Sequence, residues 1–129
     1  MELLSTIIDY ALPFLFVLTV LVFFHELGHY LIARLNGVRV EVFSVGFGPE
    51  LFGRTDRAGT RWKFSMIPLG GYVKMFGENT TPDGVYQASL SDADQNIAFH
   101  TKTVGQRAAI VFAGPAANFL LAIIIFALL

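Results

Sequence analysis

The sequence contains no cysteine, which excludes disulfides and thiolate metal sites, so any bound metal must be held by His, Asp or Glu. Histidine is scarce as well: there are three, and two of them, His25 and His29, stand four residues apart. Charged residues make up only 15% of the 129, against 54% hydrophobic, and mean hydropathy is +0.59. That is too oily for an ordinary soluble domain of this size and points to a membrane protein. Lys and Arg are missing before Arg34 and after Arg107, and the net charge of -1 leaves no basic face for nucleic acid.

Charge thus divides the chain into three parts. Tyr10 to Leu35 is apolar apart from the cluster around His25 and Arg34, and its 26 residues exceed a hydrocarbon core of about 30 Å at about 1.5 Å per residue. Ala108 to Leu129 is a second run of 22 residues, also long enough to span. The first nine residues carry Glu2 and Asp9 and no basic residue, unlike the start of a signal peptide. The positive-inside rule places the Lys/Arg-bearing middle segment in the cytoplasm and both outer ends across the membrane.

The expected fold class is therefore an α-helical integral membrane protein. An extracytoplasmic N-terminus (1–9) precedes transmembrane helix 10–35, and a second transmembrane helix covers 108–129. Between them lie a small membrane-associated β-hairpin or sheet (36–78) and a polar cytoplasmic loop (79–107). Within the β region, Val38 to Phe47 reads as a strand and Asp56 to Gly59 as a turn. Arg61 to Ile67 reads as a strand with Trp62, Phe64 and Met66 on one face, and Gly70-Gly71 as a second turn leading into Tyr72 to Phe76.

The chemistry gathers at His25-Glu26-Leu27-Gly28-His29. Residues i and i+4 share a helix face, so two imidazoles can converge on one tetrahedral metal with Glu26 beside them, the HExxH arrangement. Zinc so held activates water for attack on a peptide bond, and the neighbouring carboxylate takes the proton. On a soluble helix the same residues could form an ordinary charged face. Inside an apolar span, however, an ionisable group costs about 2.5 to 3.5 kcal/mol near mid-bilayer and needs a partner, which a metal supplies. The five residues from His29 to Arg34 put the site roughly 7 to 14 Å inside the cytoplasmic boundary.

Four stretches, FFHELGHYLIAR, FSVGFGPELFG, IPLGGYVKMFGE and AGPAANFLLA, cover most of the chain. Together they resemble the site-2 protease family of intramembrane zinc metalloproteases, most closely its bacterial sigma-E-regulating type. The resemblance implies Zn2+ bound by His25 and His29, with Glu26 as catalytic base. It implies cleavage of single-pass transmembrane proteins within a bacterial inner membrane, by a multi-pass enzyme whose active site opens toward the cytoplasm. It implies too that the loop bearing Gly46, Gly48, Gly70 and Gly71 dips toward the membrane and receives substrate as an added strand.

Gly114 to Asn118 is expected to interrupt the second span, where the proline removes a helix hydrogen bond and the small residues permit close helix approach. Asn118 is expected either to bond between helices or to contact substrate or the oxyanion. A catalytic zinc takes three protein ligands, and HELGH supplies two. In the family the third is an Asp followed by Gly on a later transmembrane helix, whereas Asp83-Gly84 here falls in the polar loop. The expectation is a fragment, inactive by itself, with the third ligand and the family's PDZ region beyond Leu129. Two alternatives stay open: a membrane-anchored zinc hydrolase whose third ligand is His100 or a loop carboxylate, and a non-catalytic degenerate relative.

Overall fold

The computed structural model describes residues 1–77 and 97–129. Its elements are helix α1 (Glu2–Leu35), strands β1 (Val40–Thr55) and β2 (Arg61–Met75), a single 3-10 turn (Phe99–Thr101) and helix α2 (Val104–Leu128). The polar stretch containing Asp83-Gly84 lies outside the described residues.

Helix α1 continues N-terminally of the apolar span, because Leu3, Leu4, Ile7 and Ile8 extend the same helical pattern back to Glu2. Helix α2 starts at Val104, ahead of its apolar run, because Thr103 and Gln106 form a capping box. The Thr103 hydroxyl accepts from the Gln106 N–H at 3.1 Å, and the Gln106 side chain accepts from the Thr103 N–H at 3.0 Å. Pro115 does not interrupt α2, which runs through it unbroken. Both helices are long and apolar enough to cross a membrane.

The helices pack antiparallel. Leu31 and Ile32 of α1 meet Ala109 and Phe112 of α2, whereas Phe24 and Leu27 meet Leu121 and Ile124. The backbones come close at Gly28, where a Cβ would collide with the Ala113 carbonyl and lie 2.8 Å from the Ala117 Cβ. Only a residue without a side chain lets the two backbones come this near.

Strands β1 and β2 pair antiparallel, and both are longer than the sequence suggested. Gly70-Gly71 is not a separate turn between strands: it lies within β2, next to where that strand doubles back between Phe64 and Gly71, and the absent side chains allow close neighbours. A Cβ on Gly70 would lie 2.8 Å from the Phe47 ring Cζ, and one on Gly71 would lie 2.8 Å from Val22 Cγ1 of α1. The register shows how strands of this length stay compact. Val42 to Val45 face Lys74 to Gly71 on one side, in opposite chain directions, and Arg61 to Phe64 on the other, in the same direction. Each long strand is thus folded back on itself, β1 bending at Gly46 and Gly48, whose φ angles of 93° and 81° favour glycine.

The Asp56–Gly59 turn is as expected, with the Gly59 N–H donating to the Asp56 carbonyl at 3.2 Å. The Asp56 carboxylate accepts from the N–H groups of Ala58 and Thr60 at 2.9 and 3.0 Å and from Trp62 Nε1 at 2.8 Å. Trp62 in turn stacks on Phe43 at 4.4 Å and meets Tyr30 of α1 edge-on at 4.9 Å, which docks the sheet against the helix. Below it lies the main core of Ala33, Val38, Val40, Met75 and Ile110, where α1, the sheet and α2 meet. The opposite end of the sheet leaves Leu51, Phe52, Met66 and Leu69 exposed.

Two predictions follow from this packing. Gly28→Ala must push the helices apart and should destabilise the fold by about 1–3 kcal/mol, read as an earlier denaturant midpoint in detergent. The hydrogen bonds to Asp56, that from Trp62 foremost, hold its carboxyl below the usual carboxylate range. Their contribution is therefore complete above the unfolded value of about 3.9 and is lost as pH falls through the lower folded value. Trp62 is the chain's sole tryptophan, so its fluorescence should report that acid transition, and Asp56→Asn should abolish it.

Candidate metal centre

His25 and His29 fall on the α1 face that meets α2, as their spacing requires. Their Nε2 atoms lie 3.2 Å apart, with the rings at 82° to one another. Two nitrogens each about 2.0–2.1 Å from a tetrahedral zinc stand about 3.3–3.4 Å apart, so the pair is spaced to share one metal.

Helix α2 fixes how the rings point. The Nδ1 of His29 donates to the carbonyl of Ile110 at 2.7 Å, and a neutral imidazole that donates there keeps its lone pair on Nε2, facing His25. Gly114 completes the cradle: a Cβ there would collide with His29 Nε2 and lie 2.8 Å from His25 Nε2. The residues present therefore fit a zinc ion in donor type, spacing and orientation.

Glu26 is buried at 9% exposure and lines, with His29, a cleft of 220 Å3. The other walls are Gly71, Tyr72, Val73 and Met75 of β2, Phe99, and Ile110 and Val111 of α2. Among the described residues this stretch of β2 pairs on one side only, with β1. Its other edge is that of an unpartnered strand. Pro115 has no N–H, so the Val111 carbonyl one turn earlier receives no helical hydrogen bond.

The remaining expected residues divide. Gly71 lines the cleft, and Gly70 lies beside it in β2, whereas Gly46 and Gly48 sit at the bend of β1 and are not among the cleft's walls. Asn118 is not among them either. It shares a second cavity of 360 Å3 with His25, Pro115, Phe119 and Ala122. No group of three metal-ligating side chains forms among the described residues. His100 packs against Gly77, where a Cβ would lie 2.8 Å from its Nδ1. Glu50 is held by Arg61 at 2.6 Å, a bond that keeps its carboxyl below its usual range. Neither completes the pair. The sequence reading missed Gly114 and the Ile110 carbonyl as site components. Their one visible signal was a glycine ahead of a proline among small residues in an apolar span.

Comparison with known proteins gives the family of the chain. The model of peptidase family M50 matches residues 13–129. A protein of Brucella suis named as a candidate zinc metalloprotease is 58% identical over 95% of this chain, and one of Rhizobium meliloti with the same description is 55% identical over 100%. The regulator of sigma-E protease RseP of Salmonella typhimurium is 52% identical over 85% of this chain. These matches span 33%, 36% and 23% of the respective relatives, so the chain corresponds to about a third or less of each.

If the imidazole pair is a metal site, Gly114→Ala should lower zinc affinity at least 10-fold while leaving helix content unchanged. Chelator competition alongside circular dichroism measures both.

Proposed function

The chain belongs to peptidase family M50, and from that premise we propose that it supplies two zinc ligands and the general base of a membrane-embedded zinc endopeptidase. The observation that carries the reading is the facing imidazole pair, 3.2 Å apart, with buried Glu26 on the adjoining cleft. His25 and His29 would hold the metal. Zinc bound there lowers the pKa of water and polarises the scissile carbonyl. Glu26 takes the proton from the attacking water and afterwards delivers it to the leaving amine.

Among the described residues the outer edge of β2 at Gly71 to Val73 pairs with no further strand, and these residues line that cleft. An extended substrate segment pairing there would have its main chain held at the level of Glu26, with specificity left to alternate side chains. Such a site suits single-pass transmembrane proteins whose helix has locally unwound, because a helical backbone offers no free hydrogen-bonding edge. The exposed Leu51, Phe52, Met66 and Leu69 suit a sheet end that lies against lipid. The basic middle segment supports a cytoplasm-facing site in a multi-pass protein of the bacterial inner membrane. The third ligand, an Asp, would come from a further helix of a longer protein, in keeping with relatives about three times the length of this chain.

The test is Glu26→Gln in the full-length protein, with a single-pass membrane reporter as substrate. Cleavage should fall about 10²–10⁴-fold with zinc content unchanged. Undiminished cleavage would remove Glu26 from the mechanism and favour a non-catalytic role for the motif.

A further inference from the structure

The two imidazoles are not equally supported. If both Nε2 atoms are to offer lone pairs to one metal, both Nδ1 atoms must carry protons, and each such N–H needs an acceptor. For His29 the acceptor is the Ile110 carbonyl at 2.7 Å. For His25 the antiparallel packing indicates where to look. His29 lies against Ile110 and Gly114, and one turn back along α1 corresponds to one turn forward along α2, which brings His25 against Gly114 and Asn118.

Asn118 is there, lining the same 360 Å3 cavity as His25. Its amide oxygen is buried and has no hydrogen-bond donor among the described residues. A buried carbonyl oxygen without a donor is a costly feature in an apolar helix pair. It is also an acceptor, and an oxyanion requires donors, so the buried atom suits an N–H and not a developing negative charge.

We infer that Asn118 is the positioning residue of His25: its amide oxygen accepts the Nδ1 proton, directly or across one water, and so turns the His25 Nε2 lone pair toward the metal. The two metal ligands would then be oriented by two acceptors on successive turns of one helix, a backbone carbonyl for His29 and a side chain for His25. Asn118 touches neither substrate nor metal in this role. The inference rests on the zinc-site reading.

The experiment uses the full-length protein in detergent, with zinc affinity from chelator competition and ligand geometry from the visible spectrum of the cobalt-substituted form. Asn118→Leu keeps the volume and removes the acceptor, whereas Asn118→Asp keeps an acceptor oxygen in the same place. The expected result is a fall of roughly 10- to 100-fold in zinc affinity for the leucine variant, with an altered cobalt spectrum, and an aspartate variant within about threefold of the parent. A leucine variant that retains parental affinity overturns the inference, and so does an aspartate variant that loses as much as the leucine one. A parent protein that binds no zinc would instead bring down the metal-site reading itself.

Discussion

The contact on which everything else depends is the approach of two helix backbones with no side chain between them. Gly28 on α1 meets the Ala113 carbonyl, and Gly114 on α2 meets the imidazole nitrogens. Association of apolar helices in a lipid-like medium gains little from excluding water, so it relies on close packing and on the few polar bonds that close packing permits. Here the tight crossing brings the Ile110 carbonyl within 2.7 Å of His29 and clears the space in which the two Nε2 atoms face each other. A methyl group at either glycine would act on packing and on donor geometry together. For this reason the crossing and the facing imidazole pair are one feature rather than two.

The sheet extends the same economy. Its two strands are long, yet glycines at the bend of β1 and along β2 let them double back and sit close to α1. Trp62 joins the hairpin turn to the helix, since it is bonded to Asp56 and packed on Phe43 and Tyr30. The result is that the Gly71 to Val73 edge, which pairs with no further strand among the described residues, is held beside Glu26 by a strand packed on α1.

What the sequence disclosed was whatever depends on local spacing. His25 and His29 share a face because helices repeat every 3.6 residues, and two helical runs of this apolarity are visible by inspection. The Asp56–Gly59 turn was legible for the same reason, as its residue types fix its geometry. What remained hidden depends on register between elements distant in the chain. Gly70-Gly71 looks like a turn between two strands, whereas it lies inside one long strand, beside the place where that strand doubles back and where Phe47 and α1 press on it. Gly114 and Ile110 look like packing residues until the antiparallel offset of α1 and α2 sets them opposite the histidines. The additional turn of α2 was concealed by the polar Thr103 and Gln106, which signal a helix start only when read as a reciprocal cap.

Pro115 carries a consequence of a different kind. By withholding one N–H it leaves the carbonyl of Val111, a residue that lines the cleft, without its helical donor, a polar spot made of main chain inside an apolar helix. Such a spot is one to which a water molecule in the cleft can donate a hydrogen bond. Because the acceptor is backbone, replacing the side chain at 111 would leave it in place.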